Sequence, residues 1–170
     1  MLNYLIILIG FITRFLPHPA NFTAIGAIAL FSGYYINNKR IAFLLPLIIM
    51  FLSDLIIGFY DWHLLLSVYL SFSLVVLLGI IIKKKRWFLA LPMSIIGTII
   101  FFLITNWAFW QFTNFYPLNI EGLFSCYVAG IPFVKNALLG DLFYTFIFFS
   151  LSELATFASL AKKKASSDLE

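Results

Sequence analysis

Residues 64–82 read LLLSVYLSFSLVVLLGIII and run directly into the basic stretch KKKR at 83–86. The first stretch is 19 residues long and carries no charge, and about 20 apolar residues are enough for a helix to cross a bilayer. The basic stretch predicts that this helix ends at the cytoplasmic face, because cytoplasmic connections are rich in Lys and Arg. The pair of stretches therefore indicates an integral membrane protein built from helices.

The composition extends this class to the whole chain. Of its 170 residues, 63% are hydrophobic and 11% are charged, whereas a soluble domain has about 25% charged residues. We therefore expect a single transmembrane domain at 1–162, followed by a disordered polar tail at 163–170. The lipid bilayer is the expected surrounding, and nucleic acid is not an expected partner because the basic runs are short and sit between apolar spans.

Six hydrophobic spans are expected, which predicts an all-α, polytopic membrane fold. A short re-entrant or interfacial helix is expected just before the last span, within a long connection at 111–136. Pro17 ends the first span, and Asn21 is a suitable N-cap for the second. The six spans are predicted at 2–16, 21–36, 41–59, 64–82, 87–110 and 133–160.

The basic connections predict the orientation. With six spans, the connections at 37–40, 83–86 and 162–164 all fall on one side, which the positive-inside rule makes cytoplasmic. Both termini are then cytoplasmic, and the predicted location is the bacterial inner membrane with several passes. The connections at 17–21, 60–63 and 111–136 are expected to face outward.

Ionisable and polar side chains are concentrated toward these outward connections. Asp54 lies five residues before Phe59, about 7–8 Å below the outer end of its span, and Asp141 is expected at a similar depth. Because carboxylates in hydrocarbon are costly unless paired or hydrated, we expect a polar pocket open to the outside, among spans one, three, five and six. The candidate substrate-binding residues are Arg14, His18, Asn21, Asp54, His63, Asn106, Glu121 and Asp141.

Two interpretations of the charged residues stay open. Arg14 either holds an anionic group of a ligand or pairs with Asp54 or Asp141 only to hold helices together. In the first case, the two carboxylates bind polar or cationic groups, and His18 and the candidate asparagines exchange hydrogen bonds with the ligand. His63, at the start of a helix, also fits a purely interfacial residue.

The sequence contains no motif typical of an enzyme or of a metal site. The chain has no G-x-S-x-G, H-E-x-x-H or G-x-x-x-x-G-K-[ST] motif, so we expect no enzyme activity and no ATP hydrolysis by this chain. The contexts of Asp54 and Asp141 differ from those of intramembrane aspartyl proteases. Cys126 is the only cysteine, and no metal site or cofactor is predicted, although an axial ligand to a corrinoid cobalt is the alternative for this thiol.

Small residues form one face of the second span. Gly26, Ala29, Ser32 and Gly33 share this face, and the small-xxx-small spacing from Ala29 to Gly33 lets another helix approach closely. Internal packing and a docking face for another protein are both open at this point.

Three motifs carry a resemblance to a known family. They are Arg14-x-x-Pro-His-x-x-Asn-Phe22, Ser53-Asp-Leu-x-x-Gly-Phe59 and Leu139-Gly-Asp-Leu-Phe-Tyr144. With them, the chain resembles a bacterial family of uncharacterised membrane proteins described as candidate transport proteins. At the level of the fold it is similar to the S-components of energy-coupling factor (ECF) vitamin transporters, which are six-helix proteins with both termini inside and a vitamin or metal site near the outer face.

The resemblance implies a function in uptake of a small molecule, such as a vitamin-like micronutrient. It also implies partners in other chains, namely an ECF-type coupling protein and ATPases, which S-components contact through small-residue faces. The alternatives are a structural or assembly subunit of a membrane complex, and a solitary proton-coupled carrier with Asp54 or Asp141 as its proton site.

Overall fold

The computed structural model describes residues 2–83 and 87–167. This part of the chain contains six α-helices and no strand, which confirms the all-α fold. Four of the helices, α3 to α6, are long and apolar enough to cross a membrane, and the chain is a membrane protein. The helices are α1 Leu2–Thr13, α2 Ile25–Tyr35, α3 Lys39–Ile57, α4 Trp62–Ile82, α5 Ala90–Phe112 and α6 Ile120–Ser167, with a 3-10 turn at Trp87–Leu89 before α5.

Three of the helices have a short polar side chain as their N-cap. The side chain of Asn38 accepts hydrogen bonds from the first backbone N–H groups of α3, and Asp61 does the same for α4. At the start of α6, Asn119 accepts from the N–H of Gly122 at 2.8 Å. Such caps satisfy backbone donors that have no partner inside the helix. Gly58, with φ of 114°, ends α3 in a backbone conformation that favours glycine.

The first two helices form a short antiparallel hairpin. The hydroxyl of Ser152 donates to Asn3 at the start of α1, and the hydroxyl of Tyr35, at the end of α2, donates to Glu153. The open ends of α1 and α2 therefore lie at the same level of α6. With 12 and 11 residues, these helices are about 18 and 16 Å long, well short of a hydrocarbon core of about 30 Å.

The α1–α2 junction, residues 14–24, lies alongside the middle of α6. The side-chain N–H of Asn136 donates to the carbonyl of Ala20 at 3.0 Å, and Gly140 packs against the backbone of Phe22 and Thr23. Both helices of the hairpin are shorter than the predicted spans 2–16 and 21–36. The reason is the irregular junction, in which Asn21 has a φ of 63° instead of capping α2, whose N-cap is Ala24.

Helix α6 is much longer than predicted. It begins at Ile120, so the connection expected at 111–136 spans only 113–119, and the separate short helix expected near Cys126 is wrong. Pro132 lies inside the helix, and the preceding turns are held by α5, because Tyr127 donates to the carbonyl of Leu103 at 2.7 Å. At its other end α6 continues through Ser167, into the tail expected to be disordered.

Helix α2 is the centre of the bundle. Its residues 25–33 are all buried, and Gly33 packs directly on the backbone of α4 at Val76 and Gly79. A β-carbon at Gly33 would collide with the Val76 carbonyl oxygen. The small-residue face of this helix is therefore used for internal packing, as one of the two open interpretations held, and is not available to another protein.

The two ends of the bundle differ in charge. At one end, the ammonium of Lys83 donates to the carbonyl of Ile36 at 2.6 Å, so the α2–α3 and α4–α5 connections meet there. Residues 84–86 of the predicted basic stretch lie outside the described residues. We call this the basic end, and the end where His63 stacks on Phe112 the distal end.

Candidate functional site

An ion pair joins the hairpin junction to α3. Arg14 donates to the Asp54 carboxylate at 2.9 Å and approaches the sulfur of Met50 at 2.7 Å. The hydroxyl of Tyr69, from α4, donates to the second carboxylate oxygen at 3.3 Å. The Asp54 side chain is only 2% exposed, so water contributes little to stabilising its charge. The guanidinium of Arg14 supplies the counter-charge instead. This arrangement matches the interpretation that Arg14 pairs with Asp54 to hold helices together.

Asp141 occupies a different position, against the start of α2. Its carboxylate accepts a hydrogen bond from Thr98 of α5 at 2.6 Å and lies against Gly26, with the backbone N–H of Ala27 in hydrogen-bonding reach. The residue at the N-cap position, Ala24, has no side chain that could accept from these N–H groups. Asp141 therefore caps α2 from a neighbouring helix, where the helix dipole favours a negative charge.

The predicted depth of Asp141 is wrong. It lies 21 residues after the start of α6, about 31 Å along the helix, and Thr98 opposite it lies 14 residues before the end of α5, about 21 Å. The carboxylate is thus in the middle of the bundle, not near the distal boundary. The error came from placing the start of the last span at 133 rather than Ile120.

A cavity of about 380 Å³ lies between α4, α5 and α6 on the distal side of these carboxylates. Six aromatic side chains contribute to its wall, and the other polar groups are amides, hydroxyls and one thiol. The aromatic residues are Tyr60, Phe101, Phe102, Phe109, Tyr116 and Phe133. The other polar lining residues are Asn21, Ser67, Thr105, Asn106 and Cys126.

Two of the predicted site residues line this cavity, and a third lines a smaller cavity beside it. Asn21 and Asn106 line the larger cavity, and Asn21 also lines the smaller one, of about 40 Å³, which reaches Asp141. Arg14 and Asp54 lie outside the lining of both cavities. The ligand position expected among spans one, three, five and six therefore shifts toward α4, because the lining contains residues of α4, α5 and α6 and none of α1 or α3.

Three predicted residues lie elsewhere. His18 is exposed, and its two ring nitrogens lie within hydrogen-bonding distance of the backbone carbonyls of Arg14 and Pro19. Glu121 is exposed in the first turn of α6, where a carboxylate suits the helix dipole. His63 stacks on Phe112 with ring centroids 4.3 Å apart, as expected for an interfacial residue. None of the three lines either cavity.

The connection between α3 and α4 contains two ionisable groups, Tyr60 and Asp61, whose pKa values are shifted by their surroundings. Desolvation raises the pKa of Tyr60 to about 12, and the nearby carboxylate of Asp54 acts in the same direction. Tyr60 also lines the cavity. For Asp61, partial desolvation opposes ionisation, but the N–H groups of Leu64 and His63 favour it, and the pKa of this carboxyl is lowered overall.

Sequence reasoning missed most of the lining residues. On α5, the spacing of Phe101, Thr105 and Phe109 is four residues, so they form one stripe of the helix, and Phe102 and Asn106 form the stripe beside it. Rings that alternate with polar groups at this spacing are the signal that could have indicated the cavity wall. The contributions of Tyr60 and Tyr116 come from connections, whose placement no periodicity predicts.

The side chains that line the cavity are uncharged. In the part of the chain that the structure describes, no three His, Cys, Asp or Glu side chains come together to hold a metal ion. Cys126 is 2% exposed and its thiol lies 3.4 Å from the carbonyl of Asn106. What the cavity offers is an aromatic wall with neutral hydrogen-bonding groups.

Comparisons with known proteins place the chain in a family but assign no activity. Neither the curated proteins nor the solved structures contain a match to this chain. The profile of a family of unknown function, DUF6580, matches residues 1–165, which is nearly the whole chain. The chain therefore belongs to the DUF6580 family, a family of unknown function.

Proposed function

We propose that this protein binds a small molecule from outside the membrane and takes part in its uptake, in the manner of an ECF S-component. The observation that supports the proposal is the cavity of about 380 Å³ with its aromatic wall. Sites for small molecules are typically concave and largely apolar, with a few placed polar groups, and range from about 300 to 1,000 Å³. The cavity meets each of these conditions.

The charge distribution supports an outward-facing site. Lys39, Arg40 and Lys83 lie at the basic end, which the positive-inside rule assigns to the cytoplasm. The cavity lies toward the distal end and would then open to the outside of a bacterial inner membrane. A vitamin-like micronutrient would enter there, near the 113–119 connection.

Coupling to other chains would use a surface other than α2. Since the small-residue face of α2 is buried against α4, an ECF-type coupling protein with its ATPases would contact a lipid-facing helix surface. Such a partner would supply the energy for release on the cytoplasmic side.

Native mass spectrometry of the gently purified full chain tests the proposal. We expect a co-purified small molecule in the wild type, its loss in Asn106→Leu, and its retention in Asn114→Ala. The first change replaces the Asn106 amide in the cavity wall with an apolar side chain of the same branching, and the second removes an exposed amide from the 113–119 connection. A ligand-free chain with a stoichiometric protein partner would instead identify an assembly subunit.

A proton-coupled carrier is the second candidate, and the position of Asp141 favours it. This carboxylate lies in the middle of the bundle and borders the small cavity beside the main one. The candidate requires uptake by the purified protein in liposomes, driven by a pH gradient and abolished in Asp141→Asn. Uptake that needs added ATPase chains would exclude it.

A further inference from the structure

We infer that the ligand of the cavity is an uncharged, flat ring compound that carries hydrogen-bond donors on its edge. The inference rests on the proposed function and narrows it to a substrate class. Three features of the cavity lead to it: its wall has no charged side chain, it contains aromatic rings, and some of its polar groups have oxygens that can still accept hydrogen bonds.

The wall carries no charged side chain among the described residues. Of the nearest charged groups, Asp54 pairs with Arg14, and Asp141, which lies outside this lining, accepts a hydrogen bond from Thr98 of α5. A charged ligand would lose its hydration in the cavity without gaining a counter-charge, which is costly in an apolar environment. The wall therefore selects an uncharged ligand.

The wall contains six aromatic rings. On α5, Phe101 and Phe109 lie two turns apart, with Thr105 between them, and Phe133 contributes to the same lining from α6. Aromatic rings gain from stacking or edge contacts beyond the apolar area that they bury. A flat ring would contact ring faces with its own faces and reach polar groups only with its edge.

Two hydroxyl groups of the wall, those of Ser67 and Thr105, have already used their protons. Ser67 donates its hydroxyl proton to the carbonyl of Leu64 at 2.7 Å, and Thr105 donates to that of Phe101 at 2.8 Å. A hydroxyl has one proton and two lone pairs, so each oxygen keeps acceptor capacity after its proton is used. Asn106 donates one of its two N–H groups to Phe102 at 2.8 Å and keeps its amide oxygen and its second N–H. A ligand edge that supplies N–H or O–H groups therefore finds three acceptor oxygens in the wall, on Ser67, Thr105 and Asn106.

Four probes of nearly equal shape separate charge from hydrogen bonding. Naphthamide is neutral and has N–H donors, dimethylnaphthamide is neutral without donors, naphthoate is an anion, and naphthamidine is a cation at neutral pH. Cys126 is the only cysteine and lines the cavity, so each probe that occupies the cavity should slow alkylation of this thiol by a maleimide. Native mass spectrometry of the same mixtures ranks the probes without relying on access to the thiol.

We expect naphthamide to protect Cys126, and to bind in the mass spectra, at concentrations about tenfold below those of the other three probes. A buried polar group without a partner costs about this factor or more. In Asn106→Asp, which adds a carboxylate to the wall, the ranking should move toward naphthamidine. Asn114→Asp, outside the cavity lining, should keep the wild-type ranking.

The outcomes distinguish the inference from the proposed function. If naphthoate or naphthamidine binds the wild type best, the uncharged class is wrong while a binding cavity stands. If dimethylnaphthamide equals naphthamide, the requirement for donors is wrong. If no probe binds by either measurement, the inference is overturned, whereas the proposed small-molecule site is overturned only if the purified wild type also carries no co-purified ligand.

Discussion

At the scale of residues, the ion pair between Arg14 and Asp54 shows how one contact settles an ambiguity of the sequence. From the sequence, Arg14 could pair with either Asp54 or Asp141. In the fold it lies 2.9 Å from the Asp54 carboxylate. Asp141 instead accepts a hydrogen bond from Thr98 and packs against the start of α2. Sequence spacing cannot make this choice, because both carboxylates are many residues from Arg14. The choice depends on where the hairpin junction packs.

Removing one partner of this pair should destabilise the protein strongly. Asp54→Ala leaves the Arg14 guanidinium mostly buried without its counter-charge, which we expect to lower the free energy of unfolding by about 3–5 kcal/mol. Denaturant unfolding of the full chain in detergent measures the change. The double variant Arg14→Met with Asp54→Ala should lose less than the sum of the two single changes, and additive losses would contradict a coupled pair.

At the scale of elements, the contact of α2 with α4 depends on glycine at two facing positions. Gly33 lies against the backbone of Val76 and Gly79, and Gly79 lies against the carbonyl of Leu30. The sequence pattern indicated a close approach of helices there, but the same pattern suits docking of a second protein equally well. Only the position of α4 in the fold decides for internal packing.

Gly33→Ala should therefore lower the free energy of unfolding by about 1–3 kcal/mol, because the added β-carbon meets backbone atoms that cannot move aside. Gly97→Ala is the matched control. Its β-carbon would lie 3.1 Å from a side-chain carbon of Val75, which has more freedom to shift, and alanine favours the helix. Unfolding of both variants in detergent measures the difference, and equal losses would contradict the backbone contact.

At the scale of the whole molecule, the bundle has two unlike ends, and their sidedness is a prediction from charge. The basic end joins the α2–α3 connection to Lys83, and the distal end holds the 113–119 connection near the cavity. Because the positive-inside rule assigns the basic end to the cytoplasm, access to the cavity is expected from outside.

Cysteine labelling in intact cells checks this orientation. In a Cys126→Ser background, we expect a membrane-impermeant maleimide to label a cysteine at Asn114→Cys and to leave Asn37→Cys unlabelled until the cells are opened. Neither side chain makes a hydrogen bond among those described, so the substitutions should leave the fold intact. Labelling of position 37 from outside would reverse the orientation and place the cavity on the cytoplasmic side.

The sequence by itself determined the membrane class, the helical fold and the basic end, because hydropathy and charge are summed over a local stretch and need no knowledge of neighbours. It also indicated Asn21 and Asn106 as polar groups of a site. The tertiary structure alone decided the start of α6, the shortness of the α1–α2 hairpin and the cavity wall. The physical reason is that packing against α5 maintains α6 through Pro132. The cavity wall, in turn, is assembled from three helices and three connections, which local sequence patterns cannot bring together.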